Sequence, residues 1–225
     1  DRFFLHPANL RAARGAFLTS MKMVAIKSPC DVAVSALFVR KDSVYKQLGI
    51  DCWDVERNAL EWPGGNTVVA HPPCRAWWQL KHLAKPSDGE RELAIWALER
   101  VRQWGGVLEH PRASELWKQQ KLPLGQMRDE YGGFSMCVDQ CWFGHKARKR
   151  TLLYICGCLP VDVPAYPLTF TPFTHTVGST KKKGLPEVSK RERESTPLSF
   201  AKWLIEMAML CGKGHFTELY KITTP

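Results

Sequence analysis

The sequence lacks any apolar run that approaches the length of a membrane span. It also lacks a signal peptide ahead of its eight cysteines. Because disulfide frameworks are typical of secreted proteins, we expect most of these cysteines to be free thiols in a soluble, cytoplasmic protein. The absences argue against a membrane partner and against a small disulfide scaffold.

Acidic residues are few relative to basic ones. The 225 residues include 32 lysines and arginines and 22 aspartates and glutamates, which give a formal net charge of +10, together with nine tryptophans. This combination suits a partner that is both anionic and aromatic. The composition therefore predicts a nucleic acid as the partner.

Short apolar segments alternate with helical patterns, which predicts one α/β domain. The predicted strands cover residues 31–37, 50–53, 67–70, 106–111 and 151–156, and the predicted helices cover residues 43–48 and 88–104 and begin again at Thr196. We expect residues 1–28 to be an N-terminal extension, residues 29–210 to form the domain and residues 211–225 to form a tail. Within the domain, residues 159–195 are expected to be a loop or mobile arm.

The third predicted strand stops at Pro72-Pro73 and is followed directly by Cys74. Prolines cannot continue the ladder of hydrogen bonds, and side chains just past the carboxyl end of a parallel strand face the ligand crevice. Arg75 follows, and a nearby cation lowers the pKa of a thiol. Cys74 is therefore a candidate nucleophile, and a cysteine buried under a loop is the alternative.

Two further groups belong to the same pattern. Glu109 precedes Pro111 at the end of the next strand, so we expect it beside Cys74, and the basic residues Lys146, Arg148 and Arg150 precede the strand that starts at residue 151. A thiolate, a carboxyl group and an arginine can together activate carbon 5 of a pyrimidine, because the thiolate adds to carbon 6 while the other two groups hold the ring.

In this order and spacing, Pro72-Pro73-Cys74, Glu109-His110-Pro111 and residues 146–150 resemble the Pro-Pro-Cys, Glu-Asn-Val and Gln-x-Arg-x-Arg motifs of the DNA cytosine-5 methyltransferases. The resemblance implies a compact phage or prophage type of this family, in a bacterial host cell. It implies a doubly wound, mostly parallel sheet of the Rossmann-like methyltransferase type with a reduced recognition segment. It also implies methyl transfer from S-adenosylmethionine to carbon 5 of a flipped cytosine in DNA, with Cys74, Glu109 and Arg148 as catalytic residues.

The resemblance also assigns binding residues. Asp54 ends the second predicted strand, where the family contacts the cofactor ribose, and the other expected cofactor contacts are Leu37, Phe38 and Pro72. The family's glycine-rich turn after the first strand is absent here, since residues 37–42 contain no glycine. The expected DNA-binding residues are Arg75, Trp77, Trp78, Lys146, Arg150, Lys181, Lys182 and Lys183, although the tryptophans can equally be core residues and the lysines part of a solvated loop.

Several alternatives stay open at this point. One alternative is a zinc site, for which the candidate ligands are Cys137, Cys141, His145, Cys156 and Cys158, although they include no Cys-x-x-Cys pair. A weaker alternative is a site like that of the zinc deaminases, suggested by His71 beside Pro72. We predict no metal site. The alternative functions are a pyrimidine-modifying DNA enzyme that uses another donor and a non-catalytic DNA-binding protein on a methyltransferase-like scaffold.

Overall fold

A computed structural model describes residues 32–78, 85–125, 127–165, 172–177 and 184–212. The strands are β1 (Val34–Leu37), β2 (Asp51–Trp53), β3 (Thr67–Ala70), β4 (Gly106–Pro111), β5 (Phe134–Asp139) and β6 (Arg150–Cys156). The α-helices are α1 (Val44–Gln47), α2 (Glu90–Trp104), α3 (Leu116–Gln119), α4 (Lys190–Glu194) and α5 (Leu198–Leu210). The predicted extension, Lys181–Lys183 and all but the first two residues of the predicted tail lie outside the described residues.

The six strands form one sheet in the order β2-β1-β3-β4-β6-β5. Strands β2, β1, β3 and β4 are parallel, and β6 runs antiparallel to both β4 and β5. Because β1 lies between β2 and β3, the connections after β1 and β2 lead to opposite sides of β1. The predicted α/β class with a mostly parallel sheet is therefore confirmed.

Helices cover both faces of the sheet. On one face, Leu37, Val68 and Leu108 pack with α2 in one hydrophobic cluster, and on the other, Ala36, Val69 and Val107 pack with α5 in a second. Successive residues of a strand point to opposite faces, so each of these strands needs an unbroken apolar run. Such runs are the signal from which β1 and β3 were predicted.

Two elements were not predicted, and one prediction was wrong. Strand β5 and helix α3 have no counterpart in the sequence interpretation. Residues 190–194, expected to belong to a loop, form α4, because Ser189 caps the helix through a reciprocal pair of hydrogen bonds with Glu192. Ion pairs from Arg40 to Glu194 and from Lys146 to Glu192 tie this helix to the domain.

In the part of the chain that the structure describes, no helix has both the length and the apolar character needed to cross a bilayer.

Gly106 should be the glycine of the sheet that least tolerates a side chain. Its φ is +123°, and a Cβ atom there would lie 2.0 Å from the carbonyl oxygen of Val68 on β3. We expect Gly106→Ala to lower the free energy of unfolding by more than about 3 kcal/mol. Gly65→Ala is the matched control, because its φ is +97° with no atom within 4 Å, and it should cost only about 1–2 kcal/mol of backbone strain. Urea unfolding measures both, and equal losses would contradict a close approach at Gly106.

Candidate active site

A cleft of about 1310 Å³ opens at the carboxyl ends of β1, β3 and β4, and we call it the first cleft. Cys74, Glu109 and Arg148, the three predicted catalytic residues, all line it. Among the described residues, nine lysines and arginines and three carboxylates line it. The sheet therefore brings the predicted groups to one positively charged cleft.

The parallel pairing of β3 with β4 sets the relation between Cys74 and Glu109. Ala70 pairs with Leu108, so His71 leaves β3 beside Glu109. The two prolines then turn the chain, and Cys74 begins a short 3₁₀ turn over Arg75–Trp77, in which Trp77 N–H donates to the Cys74 carbonyl at 3.1 Å. The proline pair thus carries the thiol past the sheet edge and into the cleft.

Glu109 is held by three side chains. Its Oε1 accepts hydrogen bonds from Gln140 Nε2 at 3.1 Å and from Thr151 Oγ1 at 3.2 Å, while its Oε2 lies 3.0 Å from His71 Nδ1. Burial alone would raise the pKa of Glu109, but the His71 contact and the charge of Lys149 outweigh burial and bring it to about 2. Glu109 is therefore a fixed, ionised acceptor at neutral pH.

His71 joins Glu109 to Tyr45. The Tyr45 hydroxyl lies 2.9 Å from His71 Nε2, and burial raises the pKa of Tyr45 well above its usual range, so the hydroxyl keeps its proton and donates. When Nε2 accepts from this hydroxyl, the proton of the imidazole lies on Nδ1 and is donated to Glu109 Oε2. This chain of hydrogen bonds fixes the orientation of the carboxylate. Sequence reasoning treated His71 only as a weak zinc ligand, and its position just past β3 was the signal for this role.

The state of Cys74 differs from the expectation. Its thiol is half-buried, and burial, followed by the charge of Glu109, raises its pKa above the ordinary value of 9.0. The pKa of Cys74 is thus raised where the adjacent Arg75 was expected to lower it, and Arg75 Nη2 forms an ion pair with Glu90 Oε2 at 2.5 Å. Lys149 is the cation that opposes the rise in the thiol pKa. In the free protein the thiol is therefore protonated at neutral pH.

In the basic segment at the start of β6, Lys149 as well as Arg148 contributes to the site. Arg148 lines the first cleft, and its Nε donates to Asp139 Oδ2 at 2.6 Å, which fixes the stem of the side chain. Lys149, which sequence reasoning passed over, lowers the pKa of both Cys74 and Glu109 by its charge. The sequence did contain a signal for this role of Lys149. Side chains alternate between the two faces of a strand, so residues 149 and 151 lie on the same face.

Two of the residues assigned to S-adenosylmethionine, Asp54 and Leu37, are buried in the protein. Asp54 is buried, with Oδ2 on Lys46 Nζ at 2.5 Å and Oδ1 on the backbone N–H groups of Glu56 and Arg57. Leu37 is fully buried in the core. The carboxylate that should hold the ribose is therefore used within the protein, contrary to the prediction.

The turn after β1 also departs from a cofactor turn. Phe38 has a φ of +59°, a region that glycine adopts without strain, and its ring packs edge-on against Trp96. Neither Phe38 nor Asp54 lines the first cleft, whereas Pro72 does. The present residues thus do not fit S-adenosylmethionine in the manner that the resemblance implies, and no chemical step is derived through it.

The expected DNA-binding residues are placed unevenly. Arg75, Trp78 and Arg150 line the first cleft, and Trp78 is 42% exposed. The expectation for Trp77 is wrong, because this ring is fully buried and its indole N–H donates to the Arg91 carbonyl. Lys146 is paired with Glu192 outside the cleft, and Lys181–Lys183 lie outside the described residues.

The zinc alternative gains no support. Cys137 is exposed on β5, whereas Cys141 is buried, and His145 Nδ1 contacts the backbone of Ala147. Cys158 lies near Cys211, with 3.2 Å between their sulfur atoms. Within the described ranges, no three histidine, cysteine or acidic side chains gather as metal ligands.

Comparison of the chain with protein-family models, curated proteins and solved structures found no match. The function must therefore be argued from the geometry of the first cleft.

Proposed function

We propose that the protein modifies DNA by binding a flipped cytosine in the first cleft and adding the Cys74 sulfur to carbon 6 of the ring. The observation that carries this proposal is the convergence of Cys74, Glu109 and Arg148 on one cleft, in a network that fixes and ionises Glu109. For the fold, we propose the finer assignment of a doubly wound, Rossmann-like sheet. Two features support it: the connections after β1 and β2 lead to opposite sides of β1, and helices cover both faces of the sheet.

Glu109 suits cytosine because an ionised carboxylate only accepts hydrogen bonds. The exocyclic amino group of cytosine donates, whereas thymine and uracil present a carbonyl oxygen at the same position. The excess of cations around the cleft attracts the phosphates of the strand. A base reaches such a recessed site only when it leaves the stack, so the proposal requires base flipping.

The covalent step needs no methyl donor. Cys74 loses its thiol proton to solvent, the thiolate forms a bond to carbon 6, and the electron pair of the 5,6 double bond is delocalised through ring nitrogen 3 toward the carbonyl oxygen on carbon 2. Arg148 and Lys149 supply positive charge for that oxygen. Carbon 5 then takes a proton from solvent, and loss of the original hydrogen with expulsion of the thiolate restores the base.

This cycle exchanges the hydrogen on carbon 5 with solvent, which gives the test. A single-stranded DNA with one cytosine is incubated with the protein in deuterium oxide, and mass spectrometry of the released nucleoside counts retained deuterium. We expect one deuterium per cytosine. Because the pKa of Cys74 is raised, the rate should rise about tenfold per pH unit between pH 6 and 8, as the thiolate fraction grows. Glu109, with a pKa of about 2, stays ionised throughout. A profile that falls with pH would contradict a thiolate nucleophile.

Methyl transfer from S-adenosylmethionine remains the form of this chemistry that the resemblance predicts. Calorimetric titration with S-adenosylmethionine, with and without DNA, tests that donor separately from the exchange reaction. Exchange without binding of this donor would favour a pyrimidine-modifying enzyme that uses another electrophile.

A second candidate is a DNA-binding protein that holds the flipped base without chemistry. The protonated state of Cys74 and the engaged carboxylate of Asp54 favour it. For this candidate, we expect the affinity for the DNA strand to depend on its cytosine, and we expect no deuterium incorporation at any pH.

A further inference from the structure

A second cleft adjoins the first. It has a volume of about 1270 Å³ and lies between α3, the edge strand β5 and the turn that follows β6. Arg112, which follows β4 directly, lines both clefts, and its backbone N–H donates to the Arg150 carbonyl at 3.2 Å. The two clefts therefore meet at Arg112, three residues after Glu109.

The described lining of the second cleft contains basic side chains but no acidic ones. Arg112, Lys118 and Lys121 line it, and no aspartate or glutamate is among its described lining residues. None of the three side chains forms an ion pair with a described residue, whereas Arg75 and Arg148 of the first cleft pair with acidic residues. The cations of the second cleft therefore remain available to an anionic ligand.

The rest of the lining is apolar and partly aromatic. Trp117 and Phe134 contribute largely buried rings, Met136 is half-buried, and Leu124 is 64% exposed. The Trp117 indole N–H donates to the Pro111 carbonyl at 2.8 Å, which fixes the ring. Unpaired cations beside apolar and aromatic side chains are the combination that holds phosphates and unstacked bases of a single strand.

We propose that the second cleft binds the single-stranded nucleotides on one side of the base held in the first cleft. This inference rests on the proposed function, since it takes the base in the first cleft as the start of the strand. A strand that leaves the first cleft on this side must pass Arg112. Strand β5 is also an edge strand that could pair with a peptide, but three unpaired cations without a carboxylate favour a polyanion.

The test uses the double variant Lys118→Ala/Lys121→Ala and two labelled DNA strands. Each strand has one cytosine and eleven thymines, with the cytosine at the 5′ end of one strand and at the 3′ end of the other. We expect the dissociation constant to rise at least about tenfold for only one of the two strands. For that strand, the slope of log affinity against log salt should become shallower by about 1.4, because two phosphate contacts are lost. A trinucleotide centred on cytosine should change less than about twofold, since it does not reach the lysines.

The control is Lys85→Ala/Lys202→Ala, which removes the same charge from exposed lysines that line neither cleft. Equal weakening by both double variants, or equal effects on both strands and the trinucleotide, would overturn the inference.

A strand of twelve thymines separates this inference from the proposed function. If exchange never occurs but binding of this strand still depends on Lys118 and Lys121, only the proposed function fails. If exchange occurs and the lysines do not matter, only the second site fails, and a peptide partner becomes the better reading of the cleft.

Discussion

Replacing Cys74 by alanine is expected to abolish deuterium exchange at carbon 5 of cytosine, a loss of more than about 1000-fold. The reason is chemical, because Cys74 is the one thiol among the described residues that line the first cleft. Binding of the DNA strand should persist, since the cations that line the cleft are unchanged. Exchange is measured by mass spectrometry and binding by fluorescence anisotropy.

Cys137→Ala is the matched control for this experiment. Cys137 is exposed on β5 and lines the second cleft, so it is the more accessible thiol but lies away from Glu109. We expect it to leave the exchange rate at saturating DNA unchanged. If Cys137→Ala lost exchange and Cys74→Ala kept it, the nucleophile would be misassigned; if Cys74→Ala alone kept it, covalent addition by this residue would be excluded.

Much of the sheet could be predicted because its strands are bounded by strong local signals. Strand β4 runs from Gly106 to Pro111 as expected, since glycine and proline mark its ends. Strand β5 could not be found in the same way. It is an edge strand in which Met136 is half-buried and Cys137 is exposed, so buried and exposed residues do not alternate cleanly. Its one cysteine, Cys137, was interpreted as a possible zinc ligand.

The site was predictable where it depends on neighbouring parallel strands, and unpredictable where it depends on contacts between distant residues. Cys74 and Glu109 line the same cleft because Cys74 follows β3 and Glu109 lies near the end of the adjacent parallel strand β4. Arg75 forms an ion pair with Glu90, which is fifteen residues away on α2. The Tyr45 hydroxyl reaches His71 across twenty-six residues. Neither contact can be predicted from the spacing of residues along the chain. The pKa of the thiol therefore could not be inferred from Arg75 alone.

Glu109→Gln is expected to lower the exchange rate by about 100-fold or more while the affinity for the DNA strand changes little. The carboxylate is ionised, with a pKa of about 2, and accepts from Gln140, Thr151 and His71. An amide in its place offers one acceptor oxygen and a donor that faces the cytosine amino group or a neighbouring donor. The base would then be held without the negative charge that selects its amino group.

The same substitution should also alter the choice of base, because only the carboxylate distinguishes an amino donor from a carbonyl acceptor. In competition between strands that carry cytosine or uracil, the preference for cytosine should fall in Glu109→Gln and persist in Glu130→Gln, a control at an exposed glutamate that lines neither cleft. Urea unfolding shows whether the variant keeps its fold. A stable Glu109→Gln protein with unchanged exchange and unchanged preference would mean that the network around Glu109 serves the fold, and that another group reads the base.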